Sequence, residues 1–411
     1  KGLGNAFAGG AAVADDPSTV FFNPAGMTRL EGQQAQAATH IIIPSAEFEK
    51  DSATNVFGAP LGGGTSGDAG KVKAVPNAYY TINTGTGWAF GLGVNVPFGL
   101  TTEYDKSWVG RYHAVESDVL TVNINPSVAY RLNEQLSFGA GVSAQYIDAT
   151  LSQMVDFGLA AAGETGSQGA DVFSEVTADS WGYGFNLGLL YEFDTDTRVG
   201  LSYRSEVKQE LEGDAKFDLS RINPASPFFG PAQQTFVKQG AGGDIDLPAN
   251  AQISAYHRFS PRWALMADVL WTGWSSFDEL VINFDGSLAG TPSRTVENWD
   301  DNWRYSVGAT FTPCEQWILR GGLAYDESPI SDDYRTPRIP GNDRFWIALG
   351  AGYRVDAWGF DFGYAHLFVD DGTIDLKTGS DPTASEFGRG NLAGSFDNAV
   401  DIASIEISYA F

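Results

Sequence analysis

From about residue 33 onward, apolar and polar residues alternate along the chain with a period of two. In residues 343–355, for example, Phe345, Ile347 and Leu349 fall on one face, and Arg344 and Arg354 fall on the other. This period is typical of a β-strand with one apolar and one polar face. It predicts about fourteen strands, near residues 33–50, 74–85, 87–97, 117–131, 135–151, 180–194, 197–215, 245–258, 262–284, 302–312, 316–327, 343–355, 357–370 and 398–411.

The connections between these strands are alternately short and long. Short turns include 133–134, 194–197 and 260–261. The long segments are rich in Gly and Asp and cover residues 51–73, 98–116, 152–179, 216–244, 285–300, 328–342 and 371–397. An even number of strands with this asymmetry is typical of an outer-membrane barrel, whose apolar face meets lipid and whose polar face lines the lumen. In the alternative, a soluble sandwich, the apolar face would form the core. The sequence has no run of 18 apolar residues, so no membrane-spanning helix is predicted.

The last strand alternates strictly and ends on an aromatic residue. Ile405, Ile407, Tyr409 and Phe411 share one face, and Glu406 lies on the other. The pattern resembles the final strand of bacterial outer-membrane barrels, whose terminal aromatic residue is read by the barrel assembly machinery. We therefore expect that machinery to be a partner, through Phe411.

Residues 1–32 do not alternate. Asp16 and Pro17 predict the start of a short helix that runs through Phe21 and Phe22 and breaks at Asn23 and Pro24. A second short helix is predicted up to Leu30. The segment has no core of its own, so we expect it to pack against the rest of the chain.

Composition and isolated residues exclude several functions. The net charge of −26 argues against nucleic-acid binding, although divalent ions could bridge an acidic exterior to lipopolysaccharide. Cys314 is the single cysteine, so neither a disulfide nor a cysteine metal cluster is expected. The four histidines match no catalytic or metal motif, and 62–67 fits a dinucleotide fingerprint without the helix it requires. We expect no enzyme, catalytic residue, cofactor or metal site.

Several short motifs resemble the FadL/TodX family of outer-membrane channels for long-chain fatty acids and other hydrophobic compounds. The matching segments are 2–7, 14–16, 23–26, 204–208, 325–329 and 343–346, in the order the family has them. The resemblance implies an all-β transmembrane barrel of fourteen antiparallel strands, with residues 1–32 as a helical hatch that plugs the lumen of a barrel formed by 33–411. It also implies passive uptake, with an outer groove, an inner pocket and an exit through the wall.

The third predicted strand ends in a sequence that breaks a ladder. Asn95, Pro97, Phe98 and Gly99 are the candidate residues, because Pro lacks a donor and Gly lacks a side chain to pack. A bend with a gap beside it and a simple strand end are both open from the residues alone. The resemblance favours a lateral gate, where an apolar molecule would pass sideways into lipid.

Two long loops carry apolar clusters. Exposed apolar clusters usually mark binding surfaces, but the loops could instead pack on each other and close the barrel. The resemblance implies an outer groove and allows both. The candidate groove residues are Phe98, Leu100, Trp108, Val109, Tyr112, Met154, Val155, Phe157 and Leu159.

Within the hatch, Phe21 and Phe22 are interpreted as an anchor ahead of a contribution to the cargo path, and Asn23, ahead of Pro24 and Ala25, as a helix cap. A set of charged residues is predicted to point inward and to tie the hatch to the wall, with carboxylate recognition as the minor alternative: Arg204, Glu206, Lys208, Asp268, Arg344 and Asp361.

The identity of the cargo stays open at this point. Two basic residues that hold the fatty-acid head group in the family's prototype align with Gln153 and Asp300, which raises the case for aromatic hydrocarbons or alkanes. Arg111 and Lys106 could substitute for the missing cations. We expect a monomeric channel in the bacterial outer membrane, in contact with its lipid and lipopolysaccharide; a general porin or structural barrel is the remaining alternative.

Overall fold

The computed structural model describes residues 1–158, 170–379 and 386–411, and in these residues twenty strands form one antiparallel sheet that closes on itself through β1 and β20. The strands are β1 Gln33–Thr54, β2 Lys73–Asn83, β3 Trp88–Asn95, β4 Gly99–Glu103, β5 Glu116–Arg131, β6 Leu136–Asp156, β7 Asp171–Glu192, β8 Thr197–Arg204, β9 Val207–Asp218, β10 Gln239–Leu247, β11 Asn250–Ser260, β12 Trp263–Thr272, β13 Glu279–Phe284, β14 Ser293–Val296, β15 Asn302–Phe311, β16 Trp317–Asp326, β17 Arg344–Val355, β18 Trp358–Val369, β19 Gly372–Leu376 and β20 Asn391–Ala410.

The closed wall has fourteen strands in the described part of the chain, as predicted. Five of them are each built from two consecutive segments: β3 with β4, β8 with β9, β10 with β11, β12 with β13, and β18 with β19. β14 pairs only with β13 among the described residues.

Alternation sorts the side chains of the wall as the sequence predicted. On β17, Phe345, Ile347 and Leu349 are exposed on the outer surface, whereas Trp346 and Ala348 are buried on the inner one. The same holds for the predicted apolar faces of β12 and β18. Among the described residues, none of the helices has the length and apolarity needed to cross a membrane.

The interruptions were not predicted, and one of them overturns a sidedness prediction. Predicted strands 197–215, 245–258 and 262–284 each contain a break. Across the break at 205–206 the alternation changes phase, because a one-residue slip moves every later side chain to the other face. Val207 is therefore buried inside, while Glu206 and Lys208, predicted inside, lie toward the exterior, where Lys208 approaches Asp246 at 3.5 Å.

The predicted long loops contain more strand than expected. β6 and β7 pair as far as Asp156 and Asp171, so most of predicted loop 152–179 that is described is a ladder. Above the apolar band both faces of a strand can meet polar surroundings or other loops. The strands then continue to pair although apolar and polar residues no longer alternate, so the sequence pattern does not predict this part of the strand.

Residues 1–32 lie inside the barrel as short helices. They are α1 Gly10–Val13 and α2 Thr19–Phe22, with 3-10 helices at Gly2–Asn5 and Pro24–Arg29. A further helix, α3 Phe229–Thr235, and 3-10 turns at Trp274–Ser276, Gly286–Leu288 and Phe387–Arg389 lie in the connections. The division into 1–32 and 33–411 stays a prediction, but the contacts of the first segment support it.

The backbone of this N-terminal segment touches the wall where the wall has glycine. A Cβ on Gly188 would lie 2.0 Å from Asn23 Oδ1, one on Gly200 would lie 1.9 Å from Ala11 O, and one on Gly322 would lie 2.1 Å from Asn5 C. Only the absence of a side chain allows this approach. The hatch is thus fitted to the inner surface of several strands at once.

Polar side chains complete this attachment. Asn5 Nδ2 donates to Ala309 O at 2.9 Å, Arg198 Nε to Ala12 O at 2.6 Å, and Arg204 Nη2 to Phe21 O at 3.0 Å. The predicted role of Arg204 in joining hatch and wall is seen directly. Asp361 of β18 instead pairs with Arg354 of β17 and Arg320 of β16, and Asp268 accepts from Gln252 and Ser306.

Candidate functional site: an interior cavity beside a break in the wall

The wall is open where the third strand is interrupted. β3 ends at Asn95 and β4 starts at Gly99, and Lys73–Asn77 of the neighbouring β2 pair with β1 but have no ladder partner on the other side. Both edges of this gap carry a proline, Pro76 and Pro97. Because proline has no N–H, these positions cannot donate to a ladder across the gap.

The interrupted segment is held on its other side by β5. Thr121 Oγ1 accepts from Phe98 N at 3.0 Å and donates to Phe98 O at 2.7 Å. Three residues, 96–98, face two on β5, since Asn95 pairs with Asn123 and Gly99 with Leu120. The segment is therefore a one-residue bulge pressed against β5 and detached from β2, which makes the predicted bend, and not the simple strand end, the observed geometry.

An interior cavity of about 750 Å³ reaches this break. Its walls include the predicted residues Asn95, Pro97, Phe98, Gly99 and Leu100. From the hatch, Phe7, Phe21, Phe22 and Pro24 contribute, and from the facing wall Ile147, Leu247, Trp274 and Trp299. A volume of this size and an aromatic lining suit a drug-sized or lipid-like apolar molecule.

Aromatic rings connect the break to the far side of the cavity. Phe98 meets Trp274 edge-on with ring centroids 5.8 Å apart, and Trp274 meets Trp299 at 4.8 Å. Trp299 Nε1 donates to Glu297 Oε2 at 3.0 Å. Burial raises the pKa of Glu297 to about 7, so its protonated and ionised forms are both populated near neutral pH.

The cavity also contains cations. Arg304 and Arg344 border it, and Arg304 Nε is buried with no described hydrogen-bond partner. The Arg304 guanidinium lies 5.8 Å from the Phe7 ring and 5.9 Å from the Trp346 ring. Sequence reasoning placed Arg344 inward correctly and missed Arg304, which occupies an ordinary inward position of β15.

A second cation missed from the sequence is Arg338, in the connection before β17. It is buried and donates to Ser117 Oγ and Gln153 Oε1, both at 3.0 Å, and to the Glu116 and Ser152 carbonyls. All four acceptors are neutral. Burial lowers the pKa of Arg338 to about 10, which leaves it charged at neutral pH. Arg338 thus places a cation beside Gln153 from another loop, whereas Arg111 and Lys106, the expected substitutes, are engaged elsewhere.

The predicted outer groove is mostly a packed core. Trp108 and Val109 are 0% exposed, and Tyr112 and Met154 are at most 2% exposed. They pack with Tyr104 of the same connection and with Phe48 of β1 and Phe396 of β20. The alternative, that these loops close the barrel, describes them better, because side chains already buried by the protein offer no open surface to cargo. Phe98 and Leu100 differ, since they border the cavity.

The other candidate loop forms a second cluster. Phe157 is buried against Phe236 with ring centroids 5.2 Å apart, and Val155 packs beside them. Leu159 lies outside the described residues. Neither Val155 nor Phe157 borders the interior cavity, so a groove role for this loop stays a prediction.

An ion pair fixes the closing loops together. Arg111 Nε donates to Asp171 Oδ2 at 2.8 Å, and Tyr112 OH donates to Asp171 Oδ1 at 2.7 Å. Lys106 Nζ lies 3.4 Å from the centroid of the Phe173 ring. Arg111 is therefore not free to receive a cargo carboxylate.

The predicted hatch residues divide between cavity and frame. Phe21 and Phe22 are half-buried, border the cavity and touch each other at 5.3 Å. Asn23 caps the following 3-10 helix by accepting from Ala25 N at 3.1 Å, as predicted, and Pro24 and Ala25 are buried. Both readings of the phenylalanines, anchor and path, remain compatible with these positions.

Two of the histidines make polar contacts with neighbouring wall strands. His366 Nδ1 lies 2.8 Å from Asp401 on the outer surface, and His257 Nδ1 lies 3.0 Å from Thr197 Oγ1. No group of three or more His, Cys, Asp or Glu side chains that the structure describes could hold a metal ion.

A family model described as "Outer membrane protein transport protein (OMPP1/FadL/TodX)" matches residues 1–411. The chain belongs to this family. A FadL/TodX-family relative from Escherichia coli O6:H1, named a long-chain fatty acid transport protein, is 33% identical over 376 residues, covering 86% of this chain and 81% of that protein. The localisation of this chain is accordingly the outer membrane. The family description and the name of this relative are those of transport proteins.

Solved structures of the family agree with this assignment. A FadL homologue from Pseudomonas aeruginosa has a TM-score of 0.90 at 26% identity and covers 99% of this chain and 97% of that one. The toluene transporter TbuX of Ralstonia pickettii has a TM-score of 0.69 at 19% identity, over 98% and 96% of the two chains, which supports the fold alone.

Proposed function

We propose that this protein is a passive outer-membrane channel for hydrophobic small molecules, long-chain fatty acids or related apolar compounds, which leave it sideways through the gap at 96–98. The observation that carries the proposal is the continuity of the interior cavity with Asn95–Leu100, beside a stretch of β2 without a ladder partner. Burying apolar area in lipid in place of water releases about 25 cal/mol per Å². Sideways exit therefore needs no energy source.

The same arrangement supports a barrel whose direct path is blocked. The hatch fills the lumen with backbone set against wall glycines, so a general porin, which needs an open aqueous lumen, is the weaker alternative. Lipopolysaccharide and the barrel assembly machinery are proposed partners on the outer surface and at Phe411. A monomer is the proposed functional unit.

The cargo class can be narrowed by the cations of the cavity. Arg304, with its unpartnered Nε, and Arg338, bonded only to neutral acceptors, would each stabilise a carboxylate head group. This favours fatty acids over neutral hydrocarbons. A structural neighbour named as a toluene transporter keeps neutral hydrocarbons open as the second cargo class. One experiment separates fatty acids from neutral hydrocarbons.

The lateral route is tested by restoring the ladder. Because three residues face two, deleting Val96 and replacing Pro97→Thr gives β3 and β4 a continuous register opposite β5. Uptake of labelled oleate by cells should then fall steeply, at an unchanged level of folded protein. Pro126→Ala, in the continuous β5, is the matched control. Unchanged uptake in the straightened variant would remove lateral exit from the proposal.

The cargo class is tested by comparing oleate uptake with toluene uptake in two variants. Arg304→Gln should weaken oleate uptake and leave toluene uptake unchanged if the head group is recognised, whereas Lys238→Gln, an exposed loop residue, should affect neither. Equal effects on oleate and toluene would show that Arg304 acts on the barrel and not on a carboxylate.

A further inference from the structure

Three further interruptions of the wall meet the break at 96–98 inside the barrel. β8 gives way to β9 at 205–206, β10 to β11 at 248–249, and β12 to β13 at 273–278. These strands are neighbours, since β8 pairs with β11, β9 with β10, and β10 with β13. Three adjacent strands of the closed wall are therefore interrupted side by side.

The first two interruptions bring apolar side chains into the lumen. After the change of phase at 205–206, Val207 and Leu211 face inward and are buried, and Leu247 is buried at the end of β10. The β9 backbone lies close to the inner wall, since a Cβ on Gly182 would be 2.4 Å from Lys208 O. With Ile147 and Ala149 these residues form a buried cluster, and Phe98 packs against it.

The third interruption supplies an aromatic contact to the same ring. Trp274 stands in the 3-10 turn between β12 and β13 and meets Phe98 edge-on at 79°, with centroids 5.8 Å apart. Trp299 supports Trp274 from behind at 4.8 Å, and Phe277 supports Trp299 at 5.0 Å. The Phe98 ring is thus held by two sites on the facing wall.

We infer that Trp274 is a positioning residue for the lateral opening: together with the buried cluster it holds Phe98 in the lumen and so keeps residues 96–98 away from β2. The proline and glycine permit the bulge, but they do not choose the side to which it bends. The anchored ring does. The inference rests on the proposed function for its effect on uptake, but its geometric part does not.

The geometric part is measured by the distance between nitroxide labels at Ala74 on β2 and Gly99 on β4, in a Cys314→Ser background. Both positions are exposed, and a side chain at Gly99 would have only an ordinary contact, with Val119 O at 3.6 Å. We expect Trp274→Ala to shorten and broaden the distance distribution, and Trp274→Phe to restore it. Trp303→Ala, which removes a lipid-facing indole, is the matched control.

The functional part is measured by oleate uptake in unlabelled cells. Trp274→Ala should lower the rate by about threefold or more, with Trp274→Phe close to wild type. If Trp274→Ala fails to fold, Phe98→Leu, which keeps apolar packing but loses the edge-on contact, should show the same change in distance.

The outcomes separate the two proposals. A folded Trp274→Ala protein with wild-type distances and uptake overturns the positioning role and leaves lateral exit standing. Wild-type uptake in the straightened, Val96-deleted variant overturns lateral exit, and the label distances still decide whether Trp274 positions Phe98.

Discussion

At the scale of the residue, the side-chain amide of Asn23 both caps a helix of the hatch and bonds the hatch to the wall. Its Oδ1 caps the 3-10 helix of the hatch, and its Nδ2 donates to Ala11 O at 2.6 Å and to Leu189 O of β7 at 3.0 Å. The residue is fully buried, so water cannot replace these partners. Its place before Pro24 predicted the cap, but the bond to β7 depends on a residue 166 positions away and has no local signal.

Replacing Asn23 should therefore destabilise the protein more than its size implies. Asn23→Ala leaves buried carbonyls without donors, and we expect a loss of about 2 kcal/mol. The measurement is thermal unfolding in detergent, followed by the mobility change of the heated protein on a gel. Asn342→Ala, which removes an exposed bond to Asp371 O, should lose less; equal losses would contradict the double role.

Glu297 makes stability depend on pH. Its folded pKa of about 7 lies above its ordinary value of 4.5, so the folded protein binds the proton more tightly than the unfolded chain does. The stability that comes from protonation is full below about pH 4.5 and is lost as pH rises through about 7. The unfolding temperature at pH 8 relative to pH 5 should fall further in wild type than in Glu297→Gln. Parallel pH profiles would contradict a raised pKa.

At the scale of the element, the hatch is attached through backbone contact with wall glycines. A glycine on the inner face that touches the hatch tolerates no added atom. A glycine whose Cβ would point outward tolerates ordinary substitution. β16 offers both cases in adjacent residues, since a Cβ on Gly322 would lie 2.1 Å from Asn5 C, but one on Gly321 would meet only Leu349 at 3.9 Å.

Gly322→Ala should accordingly displace Asn5 and expose the hatch to protease, and Gly321→Ala should not. Limited trypsin digestion of the purified protein, followed by N-terminal sequencing, measures this directly. Protection of the N-terminal segment in both variants would show that the hatch is held by its polar bonds alone.

The closing loops present a second element-scale case. Asp171 is the carboxylate that compensates Arg111, and both are 0% exposed. Asp171→Asn leaves a buried charge uncompensated, which costs about 3–5 kcal/mol. Glu279→Gln, which breaks an exposed pair with Arg294, should cost at most about 1 kcal/mol. Protease resistance of the loops around 62 and 108 in both variants would contradict this difference.

At the scale of the whole molecule, alternation predicted the wall because lipid imposes one rule on every strand. It predicted neither the breaks at 205–206 and 273–278 nor the inward turn of Val207, since each depends on a contact with a distant strand. It placed Trp108 and Tyr112 in a groove because an apolar loop and a loop core look the same in sequence. The kink at Pro97 was visible because proline and glycine act locally.

The apolar band should be sensitive to charge according to depth. Leu349, 63% exposed near the middle of β17, should cost about 2–4 kcal/mol when replaced by Arg, and Val355, at the end of the same strand, about 1 kcal/mol or less. Reversible folding into lipid vesicles measures both. Equal costs would place β17 at a different height in the bilayer.

The paired prolines at 76 and 97 have a mechanical consequence for the barrel. A complete ring of hydrogen bonds between strands stiffens a barrel, but at this height the ring is interrupted, and each edge has a proline that cannot donate across the gap. Thermal breathing of the cylinder should therefore concentrate along this slit. A cargo molecule wider than the resting gap would widen this most compliant part of the wall and leave the other hydrogen-bonded strand pairs intact.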